Sequence, residues 1–155
     1  MKTIIFVCLG NICRSAMAEF TAKKLFKEAG LDAKYTLVSR ATSLYNEGCD
    51  TYYLAKEELK KHNIEVYKHE AHQISKTDFL SADLVLVMDY DNLNNLSFRF
   101  KEYNYELNKI HLLKEYINDK SEIADPYYTR DFSKAYEDIY KSIKGLINYL
   151  KEENN

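Results

Sequence analysis

The sequence contains a single proline, Pro126, and only four glycines in 155 residues. Repeats, long linkers and disordered tracts are usually richer in both, so the shortage argues against all three. Cysteines are also few. Cys8, Cys13 and Cys49 make an odd count that forms no disulfide framework and points to a reducing compartment. With four scattered histidines they show no zinc-ligand spacing. A strong charge of one sign is missing too. The 24 acidic and 22 basic residues are interspersed, and a net charge of −2 offers no bulk attraction to nucleic acid or membrane. No stretch approaches the ~20 apolar residues of a membrane span. The opening "MKTIIFVCLGNIC" imitates a leader, but its apolar run covers only Thr3 to Gly10, and Ile12 before Cys13 is not the small residue a cleavage site wants. A cytoplasmic protein is expected.

What is present reads as globular: 46% hydrophobic and 30% charged residues, in a length suited to one domain, 1–155. A chain of this size buries roughly 68–70% of its unfolded surface and needs no covalent staples. "TIIFV" (3–7) has the β-rich, continuously apolar character of a strand buried on both faces. Ala18, Ala22, Leu25, Phe26 and Ala29 follow at helical spacing, and Gly30 is placed to end that helix. "YTLVS" (35–39), "DLVLVM" (83–88) and "KIHLL" (109–113) are further strand candidates. Asp50 is expected to cap a helix running to about His62, with Leu54 and Leu59 inward. Ser75 and Asp78 have the spacing of a capping box for a short helix before the third strand. Phe132, Ala135, Tyr136, Ile139, Ile143, Leu146, Ile147 and Leu150 trace one face of a long C-terminal helix. Strands alternating with helices predict an α/β fold with a parallel sheet, whose ligands sit where strands end and helices begin.

The stretch "VCLGNICRS" (7–15) falls at such a place. Phosphoryl transfer to sulfur needs a thiolate, donors for the phosphoryl oxygens and a proton source for the leaving group. A strand-to-helix loop supplies donors, because its backbone N–H groups and the helix N-terminus converge. The five residues between Cys8 and Arg14 suffice to circle one phosphate, and Gly10 is expected to allow a backbone conformation closed to larger residues. Arg14 offers a planar fork for two oxygens. The same field favours the nucleophilic thiolate at Cys8. Ser15 is suited to hydrogen-bond the sulfur and to steady it as a leaving group. A lone cysteine would read as a buried small residue; the whole arrangement of strand, Cys, Gly, Arg-Ser and helix reads as a nucleophile in an anion-binding loop.

"VCLGNICRS" resembles the phosphate-binding signature of the low-molecular-weight protein tyrosine phosphatases, and "ADPYY" (124–128) resembles their general-acid loop. "ATS" (41–43), "QIS" (73–75), "VMD" (87–89) and "LL" (112–113) fall in the family's order, so the likeness spans nearly the whole chain. The resemblance implies a four-stranded parallel sheet flanked by helices on both faces, with neither metal nor other cofactor. It implies Cys8 as the nucleophile of a phosphocysteine intermediate, Arg14 as the phosphate clamp and Asp125 as general acid, then base. By composition alone Asp125 is a turn residue before Pro126. The resemblance also implies a phosphate loop of Leu9, Gly10, Asn11, Ile12, Cys13 and Ser15, supported by Ser39 and His69. Leu9, Tyr45, Tyr127 and Tyr128 would wall the slot. Cys13 would trap an oxidised nucleophile as a disulfide, packing being the plainer reading. His72 stands where many relatives carry arginine and is given no role. Ala16 replaces a frequent proline, which loosens the helix start.

The implied partner is a tyrosine-phosphorylated protein, with inorganic phosphate released by a monomer or weakly self-associating enzyme. Three other readings compete. Thioredoxin-coupled arsenate reduction needs two further cysteines downstream, and 78–96 has none. Arginine phosphatases of the family commonly carry threonine where this chain has Ile12. A cysteine phosphoacceptor or phosphate-binding module would keep its phosphate, which Arg14 and Asp125 together work against. The segment 89–107 is expected to shape one rim of the site.

Overall fold

The computed structural model describes residues 1–154. Four strands, β1 (Lys2–Cys8), β2 (Tyr35–Ala41), β3 (Leu84–Val87) and β4 (Ile110–Leu112), form one sheet in the order β2-β1-β3-β4. Every neighbouring pair is parallel. Around it lie α1 (Arg14–Glu28), α2 (Tyr53–Lys61), α3 (Lys76–Ser81), α4 (Tyr90–Arg99), α5 (Pro126–Thr129) and α6 (Phe132–Glu153), with 3-10 segments at Lys101–Lys109 and Leu113–Ile117. The parallel α/β class and all four strand positions agree with the sequence reading.

Alternation along β1 divides the core. Ile4, Phe6 and Cys8 face one hydrophobic cluster with Phe20 and Phe26 of α1, Leu59 of α2 and Ile139, Ile143 and Leu146 of α6. Ile5 and Val7 face the other, with Phe79 of α3, Leu96 of α4 and Phe100. All eight residues expected on the inner face of α6 are buried, each large one contributing about 1.5–3 kcal/mol relative to exposure. The predicted end of α1 is a Schellman motif. Gly30 takes φ +75° and donates to Lys27 O, while Leu31 N donates to Phe26 O at 2.8 Å. Ser75 and Asp78 form both halves of the capping box, each bond 3.0 Å long.

The expected cap at Asp50 is not formed. Its carboxylate is taken by Thr51 N at 2.7 Å and by Lys56 Nζ, and α2 begins after Tyr52. Tyr52 is held extended there because its N–H donates to Ile12 O at 2.9 Å. Leu59 is buried as expected, whereas Leu54 is only half-buried.

The order β2-β1-β3-β4 reverses direction beside β1, so the crevice at the carboxyl ends of β1 and β3 is where a ligand site belongs. Cys8 closes β1 on this edge, and Asp89 follows β3 on the same edge.

Gly145 of α6 lies against the 3-10 segment, where a Cβ would run into the Tyr116 carbonyl oxygen. Alanine is otherwise better than glycine in a helix by about 1 kcal/mol, but overpacking costs about 1–3 kcal/mol, and backbone yields less than a side chain. Gly145→Ala should therefore lower stability by roughly 1 kcal/mol or more. Urea denaturation checks the sign, which an exposed helical position would reverse.

Candidate active site

The strand hands the chain to α1 through a loop that folds around the Cys8 sulfur. Asn11 N and Ser15 N point at Sγ from 3.3 and 3.4 Å, and Ser15 Oγ lies 3.0 Å away. These two N–H groups and the start of α1 place a positive field at the sulfur. Cys8, Asn11, Arg14 and Ser15 are all buried.

The loop's unusual backbone belongs to Asn11, not to Gly10. Asn11 adopts φ +60°, and Gly10 is not among the residues with positive φ. Asparagine tolerates this conformation better than most residues. What Gly10 supplies is space: a Cβ there would displace the Asn46 side-chain amide. The conformational reason expected for Gly10 is replaced by a steric one.

A directed set of hydrogen bonds fixes the loop. His72 N can only donate, and it donates to Asn11 Oδ1 at 3.2 Å. Asn11 Nδ2 therefore faces the two serines, donating to Ser15 Oγ at 2.8 Å and to Ser39 Oγ at 2.9 Å. Ser39 Oγ in turn donates to Glu19 Oε1 at 2.6 Å, while Lys23 donates to Glu19 Oε2 at 2.7 Å. Ser15, already accepting, has its hydrogen free for the sulfur of Cys8. His69 Nε2 donates to Asn11 O at 2.7 Å. Ser39 and His69 thus stand where expected. Glu19 gives no sign of this role in the sequence, because a glutamate four residues before Lys23 reads as an exposed helix pair. His72, given no role, contributes its backbone, while its side chain pairs with Glu47.

Arg14 is held from three sides. Nη1 donates to Asp89 Oδ2 at 2.8 Å and to Ile123 O at 2.9 Å; Nη2 makes a longer, 3.4 Å contact with Asp125 Oδ2. Burial opposes the Arg14 charge, but Cys8, Asp125 and Asp89 outweigh it and raise its pKa. Asp89 is the N-cap of α4, its Oδ1 accepting from Asn92 N at 2.7 Å. The sequence offered "VMD" only as part of an ordered match, and the partnership with Arg14 comes from the meeting of β1 and β3. Asp125 caps α5 and accepts from Tyr127 N at 3.0 Å.

Cys8, Arg14 and Asp125 meet in one cleft of about 200 Å³. Leu9, Tyr45, Tyr127 and Tyr128 line it as expected, and Ile12 of the loop and Asn46 join them. Tyr45 and Tyr128 are largely exposed at its mouth. Of 89–107, the early residues Asp89, Asp91, Asn92 and Asn95 line an adjoining groove beside Arg14. Cys13 lies in the loop, buried, with its thiol pushed up to about 12 by burial and by the nearby Cys8 and Asp125. It stays protonated at neutral pH. Cys49 is an exposed free thiol. Among the described residues no cluster of His, Cys, Asp or Glu is arranged to hold a metal ion, and no helix is long and apolar enough to cross a membrane.

The geometry has counterparts among known proteins. The family profile described as "Low molecular weight phosphotyrosine protein phosphatase" matches residues 3–155. The low molecular weight phosphotyrosine protein phosphatase of Gallus gallus is 37% identical over 150 residues, covering 95% of this chain and 94% of its own. The crystal structure of the low molecular weight protein tyrosine phosphatase SP-PTP from Streptococcus pyogenes superposes with a TM-score of 0.87 at 33% identity, covering 97% of this chain and 93% of that one. A drosophila arginine phosphatase gives a TM-score of 0.89 at 31% identity, covering 97% of this chain and 98% of that one. A profile matched over nearly the whole chain and a relative 37% identical over 95% of it leave one assignment: the chain belongs to the low molecular weight phosphotyrosine protein phosphatase family.

Proposed function

We propose that this protein hydrolyses phosphotyrosine in proteins through a phosphocysteine on Cys8. The observation that carries the reading is the convergence at one sulfur of two N–H groups and a hydroxyl, with Arg14 and Asp125 in the same cleft.

In the first step Cys8 attacks phosphorus. The S–P bond forms, the P–O bond to the tyrosyl oxygen breaks, and Asp125 delivers a proton to that oxygen. In the second, Asp125 takes a proton from water, whose oxygen attacks phosphorus and expels the sulfur, releasing inorganic phosphate. Ser15 stabilises the departing thiolate with its hydroxyl. The loop N–H groups and Arg14 hold the phosphoryl oxygens in both steps, so most of the catalysis is preorganised electrostatics. Nη1 of Arg14 is fixed by Asp89 and Ile123 O, which sets the plane of the guanidinium and leaves Nη2, held only by its longer contact with Asp125, to donate to a phosphoryl oxygen.

Leu9, Ile12, Tyr45, Tyr127 and Tyr128 form the walls that receive the aryl group. A phosphoserine side chain is too short to reach Cys8 from the mouth of such a slot. Arginine phosphatase activity is the second reading, because an arginine phosphatase shares the fold. Ile12 argues against it: an apolar side chain in the cleft offers a guanidinium no hydrogen bond. Cys13 is proposed to protect the nucleophile. After a peroxide oxidises Cys8 to a sulfenic acid, the Cys13 thiol condenses with it, forming a disulfide and releasing water.

The direct test compares phosphate release from matched phosphotyrosine, phosphoserine and phosphoarginine peptides, with Cys8→Ser as control. Release from the phosphotyrosine peptide, abolished in Cys8→Ser, is expected; release that survives the substitution removes Cys8 from its role. Phosphate binding without any release returns the phosphoacceptor reading.

Ile12→Thr isolates specificity from chemistry. The ratio of kcat/KM for phosphoarginine over phosphotyrosine should rise by about tenfold, the worth of one added hydrogen bond in a closed site. An unchanged ratio would discard Ile12 as a selector.

A further inference from the structure

The loop that carries Asp125 is a single helical turn, Pro126–Thr129, too short to be stable by its own hydrogen bonds. Its N-terminal side is secured by buried Pro126 and by the Ile123 N–H, which donates to Met88 O at 3.0 Å. Its C-terminal side ends at Arg130, whose backbone has φ +63°. That is the left-handed region where glycine is the favoured helix terminator and a residue with a Cβ is strained. An arginine at this position calls for an account of its side chain.

The side chain folds back over its own turn. Nη1 donates to Tyr127 O at 3.1 Å, and Nη2 donates to the Tyr52 hydroxyl at 3.2 Å. The guanidinium also lies 5.6 Å from the Tyr52 ring centre, 6.0 Å from that of Tyr127 and 5.8 Å from that of Phe132. These distances suit cation–π attraction. Tyr52 is itself anchored: its N–H donates to Ile12 O of the phosphate loop at 2.9 Å, and its ring stacks on Phe132 at 6.0 Å and 20°. A continuous path therefore runs from the phosphate loop through Tyr52 and the guanidinium to the Tyr127 peptide. The N–H of Tyr127 itself, one peptide unit earlier, is the donor that orients the Asp125 carboxylate at 3.0 Å.

We propose that Arg130 is a positioning residue that braces the acid loop against the phosphate loop and so sets where Asp125 stands over the leaving-group oxygen. The proposal rests on the reading of Asp125 as general acid. It explains why an arginine occupies a backbone position suited to glycine: the strain is offset by contacts that only a long, forked cation makes. Lysine could reach one acceptor but not span both in a plane.

Arg130→Gly is the informative substitution because it removes the side chain while relieving the backbone. Its thermal midpoint should match or exceed that of the parent, so a lost activity is not lost folding. The readout is kcat/KM for aryl phosphates of differing leaving-group strength, which reports the step that Asp125 assists. Phenyl phosphate, a poor leaving group, should lose about tenfold, as misplacement of a catalytic group predicts, and p-nitrophenyl phosphate less than about twofold. Tyr52→Phe, which deletes only the hydroxyl acceptor, should show the same pattern more weakly, and the double variant should be no worse than Arg130→Gly alone.

Asp125→Asn provides the reference, with a larger loss on phenyl than on p-nitrophenyl phosphate. If Asp125→Asn shows that selectivity and Arg130→Gly does not, the brace is overturned and the acid stands. If Asp125→Asn loses equally on both substrates, the acid assignment fails and the brace with it.

Discussion

The structure depends on the direction in which protons point around Asn11. A buried side-chain amide has two donors and an acceptor to satisfy, and leaving one unpaired costs about 1–3 kcal/mol. The His72 backbone N–H settles which end is the acceptor. From that one fact the remaining bonds take their sense: Asn11 gives to Ser39 and Ser15, Ser39 gives to Glu19, and Ser15 has a hydrogen for sulfur. A network with no slack at its carboxylate end reaches the nucleophile as a donor. The left-handed backbone of Asn11 is tolerated because its side chain and its carbonyl, the latter held by His69, are both fixed.

Topology supplies the second requirement, which is charge. Parallel strands end together at the crevice beside β1, and Arg14 at the start of α1 meets Asp89 just beyond β3. Asp89 does two tasks there, capping α4 and fixing one nitrogen of the guanidinium. Breaking such a partly buried pair on one side is expensive because it strands the other charge. The anchorage of Arg14 is thus built into the fold's connectivity, while the loop of Asp125 hangs from short segments and is tied through Arg130 and Tyr52.

Periodic features were readable from sequence. The alternation in β1, the inner face of α6, the Gly30 terminator and the Ser75–Asp78 box rest on local rules, and the fold obeys them. The loop from Cys8 to Ser15 was readable because its chemistry is contiguous. Features that need distant residues were not. Glu19 looks like the exposed partner of Lys23 until Ser39 arrives from β2. Asp50 looks like a helix cap until Ile12 pulls Tyr52 into place. Gly10 suggests a special φ, but the strained residue is its neighbour, and only the approach of Asn46 reveals why a side chain is absent. Arg130 carries no sequence signal beyond lying five residues after Asp125.

The most direct test of the account is to catch the phosphoryl group on the sulfur. The protein is mixed rapidly with a phosphotyrosine peptide, quenched in alkaline denaturant and cleaved, and its peptides are weighed. One added phosphoryl group is expected on the peptide that contains Cys8, stable in base, lost in mild acid and missing from Cys8→Ala. Turnover with that peptide unmodified at every mixing time, and a phosphoryl group carried elsewhere or nowhere, would contradict it.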